Sequence, residues 1–253
     1  MLTFVAQVVA LVVGTAAGWR WPRANQPLLH RDTAINIANG ALLYPIRLAL
    51  VALGVDQIRV GLIPTAWSPH PVFTALFAFV LLDLTRYLVH RADHRIPFLW
   101  SFHRVHHSTE RMDATAGLRM HVVDFLQLSA IPVVLFGVLL DSRDWPEWIL
   151  PAIMVPGILF DSFEHANLRF PLEHPVGRLW NRVLNNPHFH SWHHTRDGSA
   201  VDGNYSNTLI IWDRLFGTDV SQDQPPTALG LGGDQRLAND LIGLQLLRGE
   251  GAR

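Results

Sequence analysis

The sequence predicts an all-α, polytopic integral membrane protein with four or five membrane-embedded helices and a histidine-rich helical cap on the cytoplasmic face. Three observations carry that expectation. Long apolar stretches recur along a 253-residue chain that is 49% hydrophobic and only 16% charged, lean in charge for a soluble protein. Nine of 14 histidines fall in, or beside, three clusters at the ends of apolar stretches. The arginines are shared unequally between alternate loops.

The length suits one sizeable domain, residues 1–253. A formal net charge of -1 gives no sign of a nucleic-acid partner. All 20 basic residues are arginine, and there is no cysteine. Disulfides, thiolate metal sites and cysteine nucleophiles are therefore excluded, and any metal must use nitrogen and oxygen ligands.

Residues 1–19 carry no charged side chain. They approach the roughly 20 residues that span a bilayer. A signal peptide normally begins with basic residues. None precedes Arg20, so a retained anchor is expected, with Trp19 and Trp21 at the interface. A second stretch, about 33–54, carries one internal charge, Arg47, and a proline-containing connection fills 55–71. The third stretch, about 72–89, is apolar except for Asp83 and Arg86. Ionisable groups in such a segment usually face a bundle interior. Asp83, Tyr87, His90 and His94 follow at spacings of four, three and four, so one helix face carries a carboxylate, a phenol and two imidazoles.

A polar segment, 90–121, ends at His121. The fourth stretch (about 122–140, entered through Asp124) and the fifth (about 149–163) form a hairpin around DSRDWPEW. Pro151 and Pro156 predict a kink or a break in the fifth. The chain from 164 onward is polar, with a short amphipathic helix expected over 236–248. Five spans place residues 20–32, 90–121 and 164–253 on one side. These hold three, five and eight arginines, 16 of the 20. That excess marks the side as cytoplasmic and gathers every histidine cluster there. A four-span version, with 1–19 lying in the interface, keeps the clusters together too.

The clusters are His90 and His94; His103, His106 and His107; and His190, His193 and His194, with His165 beside them. Residues three or four apart on a helix share a face, and neutral imidazole is the commonest protein ligand for a transition metal. A mononuclear zinc site closes with four ligands. Nine are too many for one ion and enough for two. Asp83, Glu164 and Asp213 are candidates to orient the rings by accepting their second N–H, with a salt bridge to Arg214 an equal alternative for Asp213. His30, His70 and His174 stand alone and read as ordinary interface or surface residues.

Six blocks now sit in order: DLTRYLVHRADH (83–94), LWSFHRVHHS (99–108), RMHVVD (119–124), EHANL (164–168), NPHFHSWHH (186–194) and NYSNTLIIWDRLFGT (204–218). Together they resemble the fatty acid hydroxylase or sterol desaturase superfamily of membrane di-iron proteins. The resemblance covers about residues 72–218 and leaves 219–253 as a polar tail. It implies two iron ions, with zinc as a possible replacement during purification, held by the nine histidines named above. It also implies hydroxylation or desaturation of a lipid C–H bond with dioxygen and electrons from a separate donor protein. Asp83, Tyr87 and His121 are the expected catalytic residues. Some members of the superfamily place a further histidine where this chain has Asp161, so Asp161, His121 and His188 are candidates for a tenth ligand. The expected location is a bacterial inner membrane. A histidine-ligated zinc hydrolase lacks its HExxH stretch here. A non-enzymatic metal- or haem-binding membrane protein has no need of the H-x-x-H-H repeats.

Overall fold

The computed structural model describes residues 2–65, 70–196 and 202–249. Among these the chain is helical, and backbone pairing outside helices is limited to isolated bridges. Helices α1 (Leu2–Arg20), α2 (Arg31–Ala52) and α3 (Pro71–Arg95), together with Val122–Leu139, are long and apolar enough to cross a membrane. The last of these comprises α5 (Val122–Val133) and a π-helical continuation, Val134–Leu139. Exposed apolar side chains such as Val12, Leu48 and Phe73 on α1, α2 and α3 suit a lipid surround. The protein is a polytopic membrane protein.

The fifth apolar stretch is α6 (Ile149–His165), 17 residues and about 25 Å at 1.5 Å per residue. The expected break does not occur. Pro151 falls in the first turn, where its missing N–H needs no partner, and the helix continues through Pro156. Helix α1 packs along α6 through two small residues one turn apart. A Cβ on Gly14 would meet Ser162 O at 3.3 Å, and one on Gly18 would meet the Asn167 backbone at 3.3 Å. Gln7 Nε2 donates to Ser162 Oγ at 3.1 Å on the same face. GTAAG (14–18) is thus a helix-packing motif that composition alone had reduced to an anchor.

Helix α3 starts at Pro71 behind an N-cap from His70 and ends at Ile96, held in the extended region by the following proline. Pro97 then occupies the first turn of α4 (Pro97–His107). This one-residue break folds the second histidine cluster back over the first. On the opposite side of the bundle, Val60, Leu62 and Ile63 donate backbone N–H groups to Gly137, Val138 and Leu139, closing the connection after α2 against the end of α5. Between these ends, Ala78, Leu82, Ile131, Leu135, Phe136, Ile149 and Ile153 form the core of α3, α5 and α6.

Beyond α6 come α7 (Pro175–Trp180), α8 (Pro187–His193), α9 (Ile211–Phe216) and α10 (Leu241–Gln245). The amphipathic helix expected over 236–248 is only those five residues of α10. Asp240 caps its start through Gly243 N at 2.8 Å, and Leu247, at φ +53°, turns the chain back. Ala238 N then donates to Arg248 O at 2.8 Å. Burial comes from this doubled-back loop: Leu231, Leu237 and Leu244 pack against Val105 of α4. The polar tail is therefore a cover over the histidine cap.

Candidate metal centre

Successive residues on a helix are turned by about 100°, so in an H-x-x-H-H run the first and last histidines lie close and the middle one faces aside. Helices α4 and α8 use this geometry to divide their rings. His103 and His107 join His193, together with His90 and His94 from α3. His106 joins His190 and His194, together with His165 at the end of α6. Within each group, one ligand atom from every ring lies within 4.8 Å of the others. The nine histidines singled out from the sequence are the nine that converge.

The rings are oriented mostly by groups other than those expected. His103 Nδ1 bonds Asp124 Oδ2 at 3.1 Å, and His94 Nδ1 lies 3.3 Å from Asp202 Oδ1. Backbone carbonyls take four more: His90 Nδ1 to Tyr205 O at 2.7 Å, His193 to Gly203 O at 2.9 Å, His106 to Arg119 O at 3.2 Å and His165 to Asp161 O at 2.6 Å. The loop DGNYS (202–206) thus fastens three of the five rings in the first group. Asp202 and Asn204 sit at φ +73° and +57°, a costly conformation for residues other than glycine. Asp124 lies in the block RMHVVD, where it read only as the entry to a helix. The carbonyl contacts carry no side-chain signature.

These contacts test whether a metal fits. A carbonyl only accepts, so a ring bonded to one through Nδ1 carries its proton there and leaves a bare lone pair on Nε2. His106 and His165 are both in this state, and their Nε2 atoms are 3.2 Å apart. In the other group, His90 and His103 bond a carbonyl and a carboxylate through Nδ1, with Nε2 atoms 3.0 Å apart. Two lone pairs facing each other at that distance repel unless a cation lies between them. Two nitrogens each about 2.1 Å from one ion stand roughly 3.0–3.4 Å apart, for right-angle to tetrahedral geometry. His94, His107 and His193 each present a buried Nε2 with no hydrogen-bond partner. Burial also holds His106, His107, His190 and His194 well below the ordinary histidine range, and His193 down to about 3. The rings are therefore neutral, as metal ligation requires.

The carboxylates expected to orient rings do other work. Asp83 accepts from Thr208 N, Leu209 N and Trp212 Nε1 at 3.2, 3.1 and 2.9 Å. Asp213 accepts from Tyr205 N and Ser206 N at 2.8 and 2.9 Å. The expected partner of Asp213, Arg214, instead pairs with Asp219 at 3.2 Å. Glu164 bonds Asn185 and Asn207, with Oε1 3.8 Å from His190 Nε2. Tyr87 bonds Thr218 at 2.9 Å and packs on Tyr205, which contacts His90, His94 and His193. Tyr87 therefore lies one layer behind the rings.

Of the candidates for a tenth ligand, Asp161 is the one beside a group, converging with Glu164 and His165. His188 Nε2 is taken by Gln222 O at 2.7 Å, and His121 Nε2 by Gln245 O at 3.0 Å. His121 Nδ1 also caps α5 through Val123 N at 3.1 Å. His30, His70 and His174 share that task, each accepting from a backbone N–H at the start of α2, α3 or α7.

A sequence model described as fatty acid hydroxylase matches residues 75–218, a segment holding all nine converging histidines. The chain belongs to the fatty acid hydroxylase family. Among its relatives, alkylglycerol monooxygenase of Xenopus tropicalis is 29% identical over 227 residues, 85% of this chain and 46% of that protein. Ornithine lipid hydroxylase OlsE of Rhizobium tropici is 29% identical over 194 residues, 75% of this chain and 54% of that protein. Fatty acid hydroxylase vlmA of Lecanicillium sp is 30% identical over 164 residues, 60% of this chain and 43% of that protein. The chain spans about half the length of these relatives. No solved structure matches it.

Proposed function

We propose that this chain is a membrane di-iron oxygenase that hydroxylates a C–H bond of a lipid, using dioxygen and electrons from a separate donor protein. The observation that carries the dimetal reading is the Nε2 pair in each group, His90 with His103 and His106 with His165, facing each other with both protons accounted for on Nδ1. Family membership and the named activities of the relatives support the chemistry, and those names favour hydroxylation over desaturation.

In this reading His90, His94, His103, His107 and His193 hold one ion, and His106, His165, His190 and His194 hold the other. When bound, the iron pair supplies the activation of dioxygen that attack on an unactivated C–H bond needs. The protein supplies orientation and dryness. Asp124, Asp202 and the carbonyls of Arg119, Asp161, Gly203 and Tyr205 fix the imidazole rotamers. Asp83 and Tyr87 act as positioning residues, Asp83 by anchoring the turn at Thr208–Trp212 and Tyr87 by backing Tyr205. His121 holds the tail over the cap through Gln245. Neutral ligands leave the ions' charge largely uncompensated, in keeping with reductant supplied from outside. The arginine excess supports a cytoplasmic cap, open to a separate donor protein.

Elemental analysis of purified protein, oxygen uptake, and lipid mass spectrometry of expressing against deleted cells test this together. Two metals per chain, iron-dependent uptake and a lipid gaining one oxygen atom are expected. A ratio near one metal per chain would sink the dimetal reading.

A further inference from the structure

Outside the histidine groups, a cavity of about 390 Å³ lies beside the exit of α1. Three arginines from separate segments line it: Arg23 after α1, Arg111 after α4 and Arg196 after α8. Among the described residues Glu110 is the one carboxylate in the lining. Its Oε1 is already shared, 4.0 Å from Arg196 Nη1 and 3.5 Å from Arg236 Nη2. Arg23 Nε is buried and has no hydrogen-bond partner. Burial alone lowers the Arg23 guanidinium to about 10, with no carboxylate opposing that shift. A partly desolvated cation without a counter-charge is costly, and an anion in this cavity would offset that cost.

The segment bearing Arg23 is held in place. Arg23 N donates to Asn167 O at 3.0 Å, Ala24 N to Asn167 Oδ1 at 3.0 Å, and Asn167 Nδ2 back to Ala24 O at 2.8 Å. Gln26 Nε2 donates to Met112 O at 2.9 Å, tying the segment to the loop that carries Arg111. An arginine fixed in this way loses little freedom on binding. The depth of the site follows from its neighbours. Trp19 and Trp21 are 70% and 58% exposed, and Arg20 lies 5.1 Å over the Trp21 ring, a pattern of the membrane–water interface. Arg23 follows immediately, at the level of lipid headgroups.

We propose that this cavity binds a phosphate or carboxylate group, presented by an anionic lipid at the bilayer surface. Guanidinium forks match the paired oxygens of both groups. The inference goes beyond the oxygenase reading and does not depend on it, because it concerns binding alone.

The test uses the full metal-loaded chain in nanodiscs of phosphatidylcholine with a minor fraction of phosphatidylglycerol. Native mass spectrometry then measures which lipid is retained on release. Phosphatidylglycerol should be retained selectively. Arg23→Gln and Arg111→Gln should each lower its retention about tenfold or more, the loss of one charge-assisted hydrogen bond, with Arg23→Lys in between. Arg178→Gln removes the same charge from an exposed position on α7 and should change nothing. In a parallel arm, inorganic phosphate is titrated against thermal stability. An Arg23-dependent response to phosphate without lipid retention would confirm the anion chemistry and overturn the lipid source. Absence of both responses, or equal weakening by Arg178→Gln, overturns the site. Arg111 is exposed, so its variant decides the matter if Arg23→Gln fails to load metal.

Discussion

The two histidine groups share α4 and α8 yet are built differently. The five-membered group takes its extra rings from α3, where the His94 side chain is only 3% exposed. Two carboxylates, Asp124 and Asp202, stand behind it, and Trp100 lies against His94 and His107 with ring centroids at 5.0 and 5.4 Å. The four-membered group is wholly buried. Its ring-orienting acceptors are carbonyls, and its carboxylates, Asp161 and Glu164, lie beside the rings. The five-membered group is thus rich in imidazoles and buttressed by charge. The four-membered group has fewer nitrogens and has carboxylates within reach to add to them.

The sharpest way to break this comparison is to remove one ring from each group. His106→Ala should empty the four-membered group, lower metal content from two per chain toward one, and abolish lipid oxidation. His107→Ala should do the same to the five-membered group. Elemental analysis of both variants decides it, and full metal occupancy in either would falsify the assignment. Asp124→Asn probes the buttress. Removing an outer partner of a metal-bound histidine typically costs about 10–100-fold in affinity. A chelator titration should therefore show one ion released early and the other as in the parent protein. Equal weakening of both ions would mean that the groups are not independent.

Smaller effects lie away from the rings. Leu244 is fully buried where the tail packs on α4, and Leu244→Ala should cost about 2–5 kcal/mol, seen as a lower thermal midpoint and faster proteolysis of the 219–249 segment. His174→Ala removes a helix cap and should cost about 0.5–2 kcal/mol. It should leave metal content and oxidation unchanged, because its Nδ1 serves only Val176 N, at 3.2 Å. Loss of metal in that variant would erase the distinction between ligand and capping histidines.

Much of the fold was legible because helix period and bilayer thickness are local rules. Apolar runs located the long helices, and the spacings at His90/His94, His103/His106/His107 and His190/His193/His194 marked the rings that converge. The lone histidines His30, His70 and His174 lie outside both groups, and their capping role depends on dihedrals that residue identity does not reveal. His30 is not the interface or surface residue expected: its side chain is only 5% exposed, with Nε2 3.2 Å from Asp113 Oδ2. Of the kink or break expected from Pro151 and Pro156, the break is absent, because a proline's effect depends on its position within the helix. The tail misled because Leu231, Leu237 and Leu244 are buried by a doubled-back loop with no helical period.

The sequence by itself determined which residues could bind metal and that they would gather at one end of the bundle, since both follow from side-chain chemistry and from spacing along single helices. Only the tertiary structure decided which ring belongs to which group. The i+3 histidine of each repeat turns away from its neighbours, and α3 and α6 each close one side. It also decided that carbonyls of Arg119, Asp161, Gly203 and Tyr205 hold the rings. Every residue carries a carbonyl, so its use as an acceptor leaves no trace in the order of side chains.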